Sequence, residues 1–165
     1  GTRPEVLAEC DPTQLYVSVD APERATFDDV VGATEDDAWE KLVDTMDVLY
    51  EKDETRTVLR TTLVGGENMA NPDWYAGFYD RADPDFVELK AYMHVGDSRD
   101  RLDREAMPDH EDVLAFAEAV QTNMPDHTVL KDQEVSRVAL LARDHDTWVP
   151  KLEADSEFWA DATAD

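Results

Sequence analysis

Cysteine is nearly absent: Cys10 stands alone in 165 residues. One thiol excludes an internal disulfide and any metal cluster held by several cysteines of this chain, and leaves Cys10 the role of a small packing residue. Positive charge is scarce too. Ten arginines and five lysines face 40 acids, a formal net charge of −25. No apolar run approaches the roughly 18–20 residues that cross a bilayer, and no signal-peptide pattern opens the chain. A cytoplasmic protein without membrane contact is expected.

What is present points to a folded domain. Hydrophobic residues make up 42% and aromatics are spread along the chain, which excludes a disordered acidic polymer. The length suits one domain with a real core. Acids are scattered through amphipathic segments, and concentrated salt screens the self-repulsion of such a surface, so the composition reads as halophilic.

GTRPEVLAEC starts like a helix, with Thr2 and Glu5 at capping-box spacing and Pro4 in the first turn. A chain that opens on a helix cap is expected to be part of something longer. Gln14 to Ala21 reads as a strand, followed by an acidic connection. Next, DDAWEKLVDTMDVLYEK is a helix with a stripe of Trp39, Leu42, Val43, Met46, Leu49 and Tyr50, and Thr34 and Asp37 suggest its capping box. Arg56 to Val64 is a strand rich in β-branched residues. Asn71-Pro72 caps a short helix carrying Trp74, Tyr75, Phe78 and Tyr79, whose rings are expected in the core. Phe86 to Met93 is the third strand, and Asp109 opens another helix. This alternation predicts parallel strands joined by right-handed crossovers. HTVLKD and RVALLARD then form a closing strand pair, and an acidic tail runs from Trp148.

Strand parity carries the functional signal. Tyr16, Ser18 and Asp20 share one face of the first strand, Arg60 and Thr62 one face of the second, and Glu88, Lys90 and Tyr92 one face of the third. The opposite faces are apolar. Parallel strands covered on both sides are nearly all apolar, so one face here is either a wet open surface or the lining of a reaction chamber inside a barrel. A divalent-metal site on His94, His110, His127 or His145 has no supporting ligand spacing, and none is expected.

PTQLYVSVDAP, RTVLRTTLVGGENM, PDFVELKAYMHVGDSRDRL and SRVALLARD resemble, in order and spacing, the archaeal 4-demethylwyosine synthases. The resemblance spans about Gly1 to Asp144. It implies an α/β fold: the second half of a partial (β/α)6 radical-SAM barrel, TIM-barrel-like, with about three parallel strands, flanking helices and a C-terminal strand pair. Residues 1–147 would be that half with the family's extension, and 148–165 the acidic tail. The implied activity is tRNA processing in wyosine biosynthesis, a carbon–carbon lyase class of enzyme. Two carbons of pyruvate are joined to N1-methylguanosine beside the anticodon of tRNA-Phe, using S-adenosylmethionine and [4Fe–4S] iron–sulfur clusters. The family's CxxxCxxC motif, its second set of cysteines and its pyruvate-engaging lysine would lie upstream, in a missing N-terminal half. Gly1-Thr2 corresponds to the end of the turn after the family's third strand. Alone, this chain is expected to be inactive. After Pro22 it reads VVGATED where the family often has a basic residue followed by proline, a departure that bears on any tRNA contact there.

Candidate roles follow. Thr2, Ser18, Asp20 and Asn68 are expected at adenosylmethionine, with Gly65 and Gly66 allowing close approach of backbone to ligand. Lys90, Glu88, Tyr92 and Arg60 are expected in the chamber, Lys90 paired with Glu88, a neighbouring acid or a bound carboxylate, and orienting pyruvate or the methylguanine. Arg99, Arg101 and Arg104, with His94, are expected to meet tRNA phosphates; the alternative is that Asp97, Asp100, Asp103 and Glu105 neutralise them. Two other functions stay open: a stand-alone acidic RNA-binding or scaffold module, and a small barrel-like lyase without a cluster.

Overall fold

The computed structural model describes residues 3–143. The expected acidic tail, Thr2 and His145 lie outside these described residues.

The elements run α1 (Pro4–Ala8), β1 (Gln14–Ser18), α2 (Arg24–Val31), α3 (Ala38–Tyr50), β2 (Arg56–Leu63), α4 (Pro72–Asp80), β3 (Phe86–Ala91), α5 (His110–Thr122), β4 (Thr128–Gln133) and β5 (Val138–Ala142). The sheet has five strands in the order β1-β2-β3-β5-β4. β1, β2 and β3 are parallel, while β5 runs antiparallel to both β3 and β4. Three parallel strands and a closing pair were expected, and that is the arrangement.

The helices cover one face. Val17, Val19, Leu59, Leu63, Val87, Leu89 and Leu141 from the sheet join Phe27, Leu42, Met46, Leu49, Tyr79, Val113 and Val120 from the helices in one core. Trp39 stacks on Phe78 with ring centroids 5.3 Å apart and meets Phe27 edge-on, knitting α2, α3 and α4 together. Tyr50 and Trp74, expected in the core, are 60% and 51% exposed. They sit at the wet side of their helices. Cys10 is exposed as well, so it is not a packing residue. Its carbonyl, with that of Ala8, accepts from Lys52 Nζ, which also pairs with Asp11 at 2.8 Å and closes the end of α1.

One helix and two caps differ from the sequence expectation. The acidic connection after Ala21 holds α2, capped by Glu23, whose carboxylate accepts from Ala25 N and Thr26 N at 2.8 Å each. Glutamate is an uncommon cap, and only a few apolar residues mark the helix. α3 begins after Asp37, which pairs with Lys41 at 3.0 Å instead of closing a capping box with Thr34. At α1 the N-cap position falls on Arg3, with no side-chain cap bond. Asn71 marks the start of α4 through its left-handed backbone (φ 52°), also without such a bond. Asp109 caps α5 as expected, exchanging bonds with Asp112 at 2.9 and 3.0 Å.

One polar pair sits inside the core. Thr61 Oγ1 donates to the Val19 carbonyl, and the Tyr79 hydroxyl donates to Thr61, both at 2.5 Å in buried surroundings. Tyr79→Phe should cost about 1 kcal/mol, because only one hydrogen bond is lost. Thr61→Val should cost more, roughly 1–3 kcal/mol, because it leaves the phenol unpaired where water does not reach. Urea unfolding midpoints at constant slope read the difference; equal losses would contradict this account.

Candidate functional site: an open polar sheet face

The face opposite the helices has a small apolar patch at the N-terminal end of the parallel strands. Val58, Phe86 and Ala142 form it with Leu130 and Leu140. Above it the side chains turn polar. Register places Ser18 beside Arg60, Arg60 beside Glu88, and Thr62 beside Lys90. Arg60 Nε donates to Glu88 Oε1 at 2.7 Å and Nη2 to Oε2 at 3.4 Å, while its guanidinium lies 4.7 Å from the Tyr16 ring centroid. The Glu88 side chain is only 15% exposed, and a carboxylate that deep needs this partner.

The expected Lys90–Glu88 pair therefore does not form. Strand neighbours are about 4.8 Å apart, whereas residues two apart on one strand are separated by about 6.6 Å, so Arg60 reaches Glu88 first. Lys90 is half-buried, and its ammonium has no ion pair or hydrogen bond among the described residues.

At the C-terminal end of β1, Asp20 Oδ1 accepts from Thr62 N at 2.7 Å. Burial raises its pKa from the ordinary 3.8, outweighing the opposing effect of the Thr62 bonds. Asn68, expected to touch a ligand, is buried and committed to the protein. Its Oδ1 accepts from Val64 N at 2.7 Å, and its Nδ2 donates to the Asp20 and Thr62 carbonyls at 2.9 and 2.8 Å. Asn68 ties the ends of β1 and β2 together. Gly65 likewise approaches protein rather than ligand: it donates to the Ala106 carbonyl at 2.8 Å, and a Cβ there would lie 3.3 Å from that oxygen.

Beside Asp20 lies a cavity of about 350 Å³, lined by Ser18, Asp20, Thr34, Glu35 and Lys41 over an apolar floor that includes Phe27 and Leu42. Ser18 is exposed there. Thr34, Glu35 and Lys41 were not anticipated at the site, because Thr34 read as a helix cap and Lys41 as part of the helix that follows. Glu35 and Asp37 are held by Lys41, and both carboxyls fall below their ordinary pKa through its hydrogen bond.

The arginine loop leaves β3 as two short 3₁₀ turns, Gly96–Asp100 and Arg104–Ala106. Tyr92 is buried and anchors it, donating to the Ser98 carbonyl at 3.1 Å, with His94 Nδ1 at 3.2 Å from the same hydroxyl. Tyr92 and His94 thus shape the loop's base. Arg99, Arg101 and Arg104 are exposed and, among the described residues, form no ion pair with Asp97, Asp100, Asp103 or Glu105. The remaining described histidines are scattered. His110 bonds Asp132 at 2.8 Å, and buried His127, its pKa lowered from 6.5 by burial, bonds the Pro84 carbonyl at 2.9 Å. Among the described residues no group of three or more potential metal ligands converges.

With this geometry in hand, comparison with known proteins is decisive. Residues 81–143 match the family model for wyosine base formation. The S-adenosyl-L-methionine-dependent tRNA 4-demethylwyosine synthase of Pyrococcus horikoshii is 44% identical over 149 residues, covering 87% of this chain and 43% of that protein. The chain is a homologue of the tRNA 4-demethylwyosine synthases. A solved structure of TYW1 with a lysine–pyruvate adduct bound superposes with a TM-score of 0.76 at 38% identity, over 85% of this chain and 44% of that one. The coproporphyrinogen III oxidase HemN of Escherichia coli, a radical SAM enzyme, shares the fold alone: TM-score 0.56 at 18% identity, over 87% of this chain and 33% of that one. The chain thus spans less than half the length of these 4-demethylwyosine synthase relatives. Among its described residues no helix is long and apolar enough to cross a membrane.

Asp20 gives a pH-dependent test. Its folded pKa is raised, so its ionised form weakens folding at pH values above that pKa. Asp20→Asn should raise the unfolding midpoint at pH 7, and the gain should shrink as pH falls toward and through 3.8, where the carboxyl is protonated. A gain independent of pH would exclude the ionisation as its cause.

Proposed function

We propose that this chain is the second half of a radical S-adenosylmethionine tRNA 4-demethylwyosine synthase, inactive without the half that carries the cluster cysteines. In the complete enzyme, two carbons of pyruvate would be joined to N1-methylguanosine beside the anticodon of tRNA-Phe, in a cytoplasmic and halophilic setting. The observation that carries the reading is the sheet itself. Three parallel strands expose a polar face instead of burying it, and three strands cannot close a barrel. The outer edge of β1 is unpaired among the described residues, and a strand of the missing half would extend the barrel there.

The residues fit one cofactor and not the other. Ser18 and Asp20, on the wall of the cavity beside β1, suit the hydroxyls or amino-acid group of adenosylmethionine, whereas Asn68 is already committed. Bound there, adenosylmethionine would supply the carbon radical. An iron–sulfur cluster needs several thiolates, and Cys10 alone cannot hold one, so its ligands must come from outside this chain. The lysine–pyruvate adduct in a TYW1 structure supports pyruvate as co-substrate; the lysine that forms it would belong to the missing half. Arg60 neutralises Glu88, which leaves Lys90 to orient substrate. The unpaired Arg99, Arg101 and Arg104 would meet tRNA phosphates, with Tyr92 and His94 holding their loop.

The direct test is to co-express this chain with a half containing CxxxCxxC, reconstitute it anaerobically, and assay wyosine-base formation on tRNA bearing N1-methylguanosine. Activity only with both halves is expected; full activity without this chain would sink the proposal. In that complex, replacing Arg99, Arg101 and Arg104 by Ala should weaken tRNA binding and flatten its salt dependence, while adenosylmethionine cleavage without tRNA persists. Unchanged tRNA affinity would reduce the loop to a structural role.

A further inference from the structure

A second cleft, of about 460 Å³, opens on the polar face between β3, β5 and β4. Its charged lining is Glu88, Lys90, Lys131 and Asp132, joined by Gln133 and Ser136. Both acids are already engaged: Glu88 by Arg60 at 2.7 Å, and Asp132 by His110 at 2.8 Å. Neither lysine has an ion pair among the described residues. Of the fourteen lysines and arginines among the described residues, seven have an acidic partner and seven do not, and both lysines of this cleft are among the latter.

Register explains why the two lysines share a face. Lys90 lies opposite Val138, and Lys131 opposite Leu140, on the two flanks of β5. Arg137, in the β4–β5 turn, donates through Nη1 to the Pro108 carbonyl at 2.6 Å, and its own carbonyl accepts from Ala91 N at 2.9 Å. Arg137 thus docks the β4–β5 turn, which carries the cleft residue Ser136, against the end of β3 and the segment before α5.

We infer that this cleft seats a backbone phosphate of the RNA strand, held between Lys90 and Lys131. The inference rests on the tRNA reading above and gives Lys90 a more specific task. It positions the target guanosine by holding the strand, not by touching the reacting atoms. A phosphodiester suits the site because two flexible ammonium groups act on it as point charges, with no need for the planar fork of arginine. Lys131 is the new member. Only its pairing partner, β5, puts it on the same face as Lys90.

The test uses the full chain and a fluorescent anticodon stem–loop RNA, with anisotropy measured over a range of salt. Lys131→Gln and Lys90→Gln should each weaken binding severalfold and reduce the salt slope by about 0.7, the value for one single-strand phosphate contact. Lys131→Arg should retain both. Arg81→Gln, which removes one charge on an outer helix, should change neither; if it weakens binding equally, net charge is the cause and the inference fails. Unchanged slopes in the lysine variants, with the Arg99/Arg101/Arg104 variant impaired, would overturn the cleft and leave the tRNA reading standing. No RNA binding, or no effect of any of these variants, would overturn both. Displacement of the RNA by pyruvate from the wild type, but not from Lys131→Gln, would make the cleft a carboxylate seat and overturn the inference.

Discussion

The period-two alternation of β1, β2 and β3 is the constraint on which everything else rests. One set of positions is valine, leucine and alanine with buried threonines in β2, and binds four helices; the other, beyond Val58 and Phe86, carries tyrosine, serine, arginine, threonine, glutamate and lysine. Shifting any strand by one residue would send charged groups into the helix-covered core, at a cost no pairing there could offset. The same register that secures the core therefore fixes which polar side chains stand beside one another. The Arg60–Glu88 contact is a product of core packing as much as of electrostatics.

Around that sheet, polar groups divide between those that hold the protein and those left for something else. Asn68 spends its whole amide on backbone at the ends of β1 and β2, and Gly65 and Tyr92 fasten the arginine loop from two sides. Asp20 is different. Its carboxyl is kept in a half-buried position that disfavours its charge, which is a cost to stability at neutral pH. Such a cost, at the rim of a cavity and at the C-terminal end of a parallel strand, is the usual mark of a group retained for a ligand. The unpaired lysines and arginines carry the complementary mark, positive charge left without an acid in a chain with acid to spare.

Charge economy also links the surface to solvent. Arg24, Lys41 and Arg81 are absorbed by the abundant acids of the helix layer, where exposed pairs add little to stability. Their effect is to damp local repulsion. Lys90, Lys131 and the loop arginines have no such partners among the described residues, which leaves their charge available to a polyanion.

By itself the sequence determined the order of the strands and of every helix but α2, the parallel strands with a closing pair, and the two-faced character of the sheet. These follow from periodicity, turn residues and local spacing, which are properties of neighbouring positions. It also contained the motifs by which the family is recognised. Helix α2 escaped notice because its Glu23 cap and sparse apolar residues leave a weak local signal. Which polar groups touch was decided only by the tertiary structure. Glu88 goes to Arg60 and not to Lys90 because a neighbouring strand lies closer than the next residue on the same face. Asn68 closes on backbone from β1, and Lys131 joins Lys90 only because β5 lies between their strands. Such contacts depend on strand order and register between segments far apart in the chain, and no local pattern encodes them.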